Sequence, residues 1–249
     1  MSNYVMTGKE LADKATDIAR NYKTLYVWGG FGAPLNKANK ERYTGPNAAA
    51  YNRKPARTEL ILEADSDTFA FDCVGLIKGL LWGWNGDLSK VYGGAKYAAN
   101  GVPDIDANAM IAKCSDVSTN FNQANMSVGE AVWKQGHIGI YIGDGLAVEC
   151  TPSWADKVQI TACNCSKQGY NTRTWTKHGK LPRVDYRAAG LPFVDVPGDA
   201  YYRKAVEWAY KNGLTSGMDA THFGPKKAVT RADVMVMLYN YNKLVNGSK

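Results

Sequence analysis

Two residues of the sequence are suited to act as a nucleophile and its base. Cys73 follows Asp72 at the start of an apolar run, and His137 begins an alternating apolar stretch that ends at residue 142. Asp is a good N-cap, so Cys73 is predicted in the first helical turn, where free N–H groups and the helix dipole favour a thiolate. An imidazole that takes the thiol proton completes the pair needed for acyl transfer. The pair indicates a cysteine hydrolase; the alternative is a buried apolar thiol and an ordinary strand histidine.

A hairpin after His137 is predicted to supply a third polar group. Residues 143–145 (Gly-Asp-Gly) suit a three-residue hairpin loop. In that register three apolar pairs face the core: Ile142 with Leu146, Ile140 with Val148, and Ile138 with Cys150. The other face then carries His137 and, diagonal to it, Glu149, which we expect to orient the imidazole. A two-residue Asp-Gly turn would slip the register and send Glu149 to the opposite face.

Composition limits the class of protein. The chain has 249 residues, of which 45% are hydrophobic and 21% charged, with a net charge of +7. This suits one good core plus a small appendage, and no apolar run is long enough for membrane insertion. The basic residues are scattered without a recognised nucleic-acid module, so we expect no nucleic-acid partner. The charge also suits steering to an anionic cell envelope.

The cysteine pattern favours free thiols over a metal site. The chain has five cysteines, an odd number, and they include no C-x-x-C spacing. No pair of histidines completes a zinc site, so neither a metal nor another cofactor is expected. Four cysteines are predicted to be structural thiols: Cys114, Cys150, Cys163 and Cys165.

Several elements must position the candidate site. Thr7 and Glu10 form a capping box that opens a helix with Leu11, Ala15, Ile18 and Tyr22 on one side. Residues 33–68 are either a disordered loop or a lid that shapes a groove, and we favour the lid. Residues 84–125 are predicted to be irregular with short helices, and residues 129–133 to be a strand. His178 is the rival base; it lies in a polar stretch without strand periodicity, and His222 is a weaker candidate still.

Three motifs resemble those of the NlpC-type cell-wall peptidases, a papain-like group. They are Tyr-Val-Trp-Gly-Gly at 26–30, Phe-Asp-Cys-Val-Gly-Leu at 71–76 and Gly-His-Ile-Gly-Ile-Tyr-Ile-Gly at 136–143. The resemblance covers residues 5–186 and implies an α+β fold, with an antiparallel sheet packed against helices. It implies Cys73 as nucleophile, His137 as base and Glu149 as the third residue. The substrate and oxyanion site would include three further residues: Tyr26, Asp72 and Trp28.

The motifs depart from the family pattern at two positions. Family members usually have serine where this chain has Val74, and His, Asn or Gln where it has Glu149. The first difference removes the serine hydroxyl, and with it a side-chain hydrogen bond to the substrate. The second changes the charge of the residue that orients His137, but leaves its role intact.

Residues 193–245 resemble one S-layer homology repeat. The sequence predicts a small α-helical domain: one helix near 200–212 stopped by Gly213, and another opened by the capping box of Thr230 and Asp233. Four residues of the second helix are expected to face inward: Val234, Leu238, Tyr241 and Val245. The resemblance implies attachment to a secondary cell-wall polymer through three candidate contacts: Arg231, Trp208 and Asp195. The alternative is that Arg231 only braces the helix start.

A lone repeat of this kind buries little core. It would either pack on the catalytic domain or assemble with copies from other chains. We expect homo-oligomerisation, such as a trimer.

These patterns predict a peptidase domain (1–186), a linker (187–192) and a wall-binding repeat (193–249). The predicted function is endolysin-like peptidoglycan hydrolysis at a stem-peptide amide, by family analogy the γ-D-glutamyl–diamino acid bond. Alternatives are an N-acetylmuramoyl-L-alanine amidase with the same site and a non-catalytic wall-binding protein. The first ten residues lack a hydrophobic secretory core, so we expect synthesis in the cytoplasm and action at the wall after release.

Overall fold

The computed structural model describes residues 4–186 and 191–246. The chain separates into two compact units, Met1–Asp185 and Tyr186–Lys249. The helices are α1 (Gly8–Asn21), α2 (Lys37–Thr44), α3 (Pro55–Glu63), α4 (Cys73–Leu81), α5 (Ala107–Ala112), α6 (Arg203–Lys211) and α7 (Arg231–Asn246). The strands are β1 (Met6–Thr7), β2 (Thr24–Tyr26), β3 (Phe31–Pro34), β4 (Phe69–Phe71), β5 (Ser115–Ser118), β6 (Ala131–Lys134), β7 (His137–Gly143), β8 (Leu146–Thr151), β9 (Lys157–Cys163), β10 (Thr172–Arg173), β11 (Lys177–Lys180) and β12 (Val184–Asp185).

The predicted α+β class is confirmed. The first unit is built on a seven-stranded sheet of order β10-β9-β8-β7-β6-β11-β5. All its neighbouring strands are antiparallel except β10 and β9, which run parallel. A three-stranded sheet, β2-β4-β3, and a short parallel pair of β1 with β12 complete the unit.

Helices α1, α4 and α5 contact the large sheet, the first two most extensively. The capping box of Thr7 and Glu10 opens α1 as predicted, and Leu11, Ala15 and Ile18 are fully buried. Helix α1 contacts β7, β8 and β9, whereas α4 contacts β7, β8 and the smaller-sheet strand β3. Both helices contact β7, in which Ile138 and Ile140 are fully buried.

The hairpin of β7 and β8 corrects one predicted pair and confirms another. Its loop is the two-residue turn Asp144-Gly145, with φ of 53° and 66°, and Gly143 rather than Ile142 pairs with Leu146. An irregularity between residues 141 and 143 absorbs the slip that this shorter turn would cause. Ile140 therefore still pairs with Val148. The bulge keeps Glu149 on the face of His137.

Two segments are more regular than the sequence indicated. Residues 33–68, for which disorder was one alternative, form the end of β3, all of α2 and all of α3. His178, predicted to lie outside any strand, is in β11 and pairs with Val132 of β6. Its strand pattern was hidden because both flanking residues, Lys177 and Gly179, are atypical of a buried strand.

The second unit has a small core and an uncovered helix. Leu191, Phe193, Val196 and Val206 form the core, with partly buried aromatics packed against it. Helix α6 ends before Gly213, and Thr230 and Asp233 cap the start of α7, both as predicted. The inward prediction for α7 is wrong: Val234, Leu238, Tyr241 and Val245 are between 36% and 59% exposed. A two-helix unit this small offers too little surface to bury that face.

Parts of two predicted segments lie outside the described residues. They are residues 187–190 of the linker and residues 247–249 at the end of the repeat. Across the described ranges, no helix combines the length and apolar character that crossing a membrane requires.

Candidate active site

The first turn of α4 carries the candidate nucleophile. Asp72 caps the helix, accepting hydrogen bonds from the backbone N–H of Gly75 at 2.5 Å and of Gly29 at 2.8 Å. Both carboxylate oxygens are thus engaged by backbone groups, which ties the Trp28–Gly29 turn to the helix start. Gly75 is required here, because an added Cβ would lie 1.8 Å from the carbonyl oxygen of Gly30. The capping role of Asp72 is confirmed, and its carboxylate links the start of α4 to the backbone of Gly29.

Burial opposes the ionisation of Cys73 that the helix start favours. The residue is only 8% exposed, and burial together with the charge of Asp72 raises the pKa of its thiol to about 12. Hydrogen bonds from backbone N–H groups of Ile138, Val74 and Cys73 itself oppose this but are weaker. The helix start favours the anion, as predicted, but it does not ionise the thiol by itself, so a base is needed. Desolvation of the anion outweighs the dipole.

The sulfur lies beside the strand that carries the candidate base. The Ile138 N–H that points at the Cys73 sulfur belongs to the residue directly after His137. His137 is partly buried at the start of β7, and its Nε2 lies 2.7 Å from Oε2 of Glu149. Among the described residues Nδ1 has no hydrogen-bond partner. It is therefore the ring nitrogen left for proton exchange.

Glu149 is fully buried and holds a charged network. Its Oε1 accepts a hydrogen bond from Thr161 at 2.7 Å, and Arg173 donates to both carboxylate oxygens at 3.0 and 3.1 Å. Burial raises the pKa of Glu149, but the hydrogen bonds from His137 and Arg173 outweigh burial and lower it below its usual value. The carboxylate is thus charged at neutral pH.

Two neighbours of the His137–Glu149 pair were not predicted from the sequence. Arg173 lies on the short strand β10, and Trp175 stacks on the imidazole with ring centroids 5.4 Å apart and planes 6° from parallel. No local pattern marks either residue, because both reach the site through the tertiary fold.

Tyr26 lies close to the nucleophile, as the motif implied. The nearby Cys73 raises the pKa of its phenol, although burial is the larger cause, so the hydroxyl keeps its proton. Its backbone carbonyl accepts a hydrogen bond from Arg57, which also pairs with Asp156. The segment 33–68 thereby braces the strand that carries Tyr26.

Trp28 has an exposed ring on a fixed backbone. Its side chain is 54% exposed, and its N–H and C=O both bond to the side chain of Asn52 at 3.0 Å. Asn52 is itself 1% exposed. A rigid, solvent-facing indole next to the Asp72 cap is suited to contact a substrate.

The two other histidines occupy different settings. His178 is 3% exposed, with Nδ1 at 2.5 Å from Glu130 and Nε2 at 2.9 Å from the carbonyl oxygen of Asn120. Both ring nitrogens are occupied, so His178 has none left for a substrate. His222 is in the second unit, beside Asp219.

The three candidate polymer contacts differ in accessibility. Asp195 accepts hydrogen bonds from the backbone of Phe223 and Gly224, both at 2.7 Å, and so braces a loop. Trp208 is 48% exposed and packs edge-on against Tyr241. Arg231 is exposed at the first position of α7.

A comparison with known families identifies the second unit. Residues 192–235 match the S-layer homology domain. The predicted repeat is confirmed, and the match supports a cell-wall-associated protein. It does not reach residues 1–191, so the peptidase assignment of the first unit stays a prediction. No curated protein matches the chain.

Taken together, the first unit holds a thiol, an imidazole and a buried carboxylate. All five cysteines are free, and within the described ranges no cluster of His, Cys, Asp or Glu is arranged to bind a metal ion. The arrangement is suited to general-base activation of a thiol, with a charged group orienting the base.

Proposed function

We propose that the protein is a cysteine endopeptidase that cleaves a stem-peptide amide of peptidoglycan at the bacterial cell wall. The observation that carries the proposal is the placement of the Cys73 thiol against β7, where His137 is held by Glu149. The S-layer homology match supplies the wall association.

The mechanism starts from a neutral thiol. The raised pKa of Cys73 means that His137 must take its proton as the sulfur attacks the substrate carbonyl. Because Glu149 holds Nε2, Nδ1 exchanges that proton and then donates it to the leaving amine. Water, activated by the same nitrogen, hydrolyses the thioester and releases the enzyme.

Two donors are available for the oxyanion. The backbone N–H of Cys73 lies in the first helical turn, where no earlier carbonyl of the helix can accept from it. The Tyr26 phenol keeps its proton and lies near the sulfur. Together they would stabilise the charge that develops on the carbonyl oxygen.

The bond we favour is that between γ-D-glutamate and the diamino acid, as the NlpC resemblance implies. The alternative is the N-acetylmuramoyl–L-alanine amide, cleaved by the same residues. Mass spectrometry of digested walls separates them, because the first creates a new amine on the diamino acid and the second creates one on alanine.

The second unit would anchor the enzyme to a secondary cell-wall polymer, with Arg231 and Trp208 as the accessible contacts. We also propose that it joins copies of the chain, since α7 exposes apolar side chains along its whole length. An uncovered helix of this kind is stabilised by packing on a second copy.

The test of catalysis compares two cysteine substitutions. We expect Cys73→Ala to lower the rate of turbidity loss of purified walls by at least about a thousandfold, since the nucleophile is absent. Cys165→Ala removes a half-buried thiol outside the site and should retain activity. Unchanged lysis by Cys73→Ala would reject the enzyme and leave a non-catalytic wall-binding protein.

A further inference from the structure

Arg173 contacts the same carboxylate of Glu149 as His137 does. Its Nη2 lies 2.8 Å from Oε2 of Glu149 and 3.2 Å from the hydroxyl of Thr151. The guanidinium also lies over the Trp154 ring, 4.4 Å from its centroid, and its side chain is only 15% exposed. Arg173 is therefore held on several sides, with its charge directed at one carboxylate.

The contact between Glu149 and His137 affects whether the imidazole is protonated, and Arg173 counteracts that effect. A buried carboxylate at 2.7 Å from an imidazole favours the protonated ring, which is useless as a base. A guanidinium bound to the same carboxylate neutralises part of its charge, which weakens its attraction for a protonated imidazole. The hydrogen bond between the carboxylate and the ring remains in place. The pair then acts on His137 much as a neutral hydrogen-bond acceptor would.

We propose that Arg173 is a positioning residue whose charge balances Glu149, so that the carboxylate orients His137 without holding it in the protonated form. The inference rests on the proposed function and names a further residue for the same site. Arg173 touches neither the sulfur nor a reacting atom; it acts through Glu149.

The charged and titratable groups around this network come from five elements. They are Cys73 on α4, Lys134 opposite His137 on β6, Cys150 on β8, Cys163 on β9 and Arg173 on β10. Arg173 is the cation that contacts the carboxylate directly. Its removal leaves Glu149 with no comparable counter-charge among the described residues.

The test follows the His137 ring by NMR in four proteins: wild type, Arg173→Met, Glu149→Gln and the double variant. The chain has three histidines, so His178 and His222 report in the same spectra as internal controls. We expect Arg173→Met to raise the midpoint of the His137 titration by about one pH unit, tenfold in the protonation equilibrium. The double variant should return the midpoint to the wild-type value or below it.

Activity should follow the same order. Arg173→Met should lower kcat/KM for wall digestion by about tenfold at pH 6 and by less at pH 8. In this variant the unprotonated, catalytically active form of His137 becomes abundant only at higher pH. Arg173→Lys keeps the charge but loses the two-pronged contact, and should fall between wild type and Arg173→Met. Arg20→Met, on an exposed part of α1, is the matched control and should behave as wild type.

Each result decides the proposal. A folded Arg173→Met with an unchanged His137 midpoint overturns it. If Arg173→Met does not fold, a folded double variant supports the charge balance, and a double variant that also fails to fold contradicts it. The titration needs no turnover, so it stands even if Cys73→Ala shows that the proposed function is wrong.

Discussion

At the scale of single residues, the surroundings of Cys73 decide its chemistry. The helix start and the neighbouring N–H groups favour the anion, yet burial and Asp72 outweigh them and raise the pKa of the thiol to about 12. In the mechanism that we propose, the thiol therefore loses its proton during attack and is not stored as a thiolate. We expect such a neutral thiol to react slowly with oxidants and alkylating agents, which act on the thiolate.

The ionisation of Cys73 predicts how it reacts with a small alkylating agent. Below the folded pKa the thiolate fraction grows about tenfold per pH unit, so labelling by iodoacetamide should rise steadily from about pH 7 to pH 10 without a plateau. Mass spectrometry of the peptide that contains residue 73 measures this rate. A plateau near neutral pH would reveal a preformed thiolate and contradict the prediction.

At the scale of elements, the segment 33–68 fixes one wall of the candidate site. Asn52 bonds both backbone groups of Trp28, and Arg57 holds the carbonyl of Tyr26 together with Asp156. The Tyr-Val-Trp-Gly-Gly motif is thus held by residues more than twenty positions further along the chain. Asn52 and Arg57 therefore brace this motif, and the lid role of the segment stays a prediction.

Substitution of Asn52 tests this bracing role. Asn52→Ala leaves two backbone groups of Trp28 without partners and should lower the free energy of unfolding by about 1–3 kcal/mol. Urea denaturation measures the change, and hydrogen exchange should speed up at the Trp28 amide. Asn47→Ala, at an exposed position of the same segment, should change neither. Equal stability of the two variants would contradict the bracing role.

At the scale of the whole molecule, the two units differ in how completely each buries its own apolar side chains. In the first unit Cys73 and Glu149 are buried, and the helix that carries Cys73 packs on the large sheet. The second has a small core to which α7 contributes no buried side chain among those described, and its apolar residues face outward. Such an exposed helix is the reason that we expect assembly of copies.

Assembly is tested by one charge on α7. Leu238 is 54% exposed, and Leu238→Lys should convert an oligomer into a monomer in sedimentation velocity at micromolar concentration. Burying the charged lysine at a contact between copies would cost more free energy of desolvation than the contact contributes to association. Val91→Lys, at an equally exposed position in the first unit, should leave the oligomer intact. A wild-type chain that sediments as a strict monomer would remove this proposal.

The sequence by itself determined the features that local physics controls. Caps placed the starts of α1, α4 and α7, and strand alternation placed His137 and Glu149 on one face, even though the turn was a residue shorter than predicted. The repeat in residues 192–235 was also evident from its motifs. Each of these signals lies within a few residues of the structure that it specifies.

Only the tertiary structure decided what surrounds those residues. Arg173 reaches Glu149 from 24 positions away, and the burial that keeps Cys73 neutral comes from the packing of α4 on the sheet. The outward face of α7 likewise follows from how little surface its own unit offers. Long-range contacts depend on the whole chain being folded, so no local pattern encodes them.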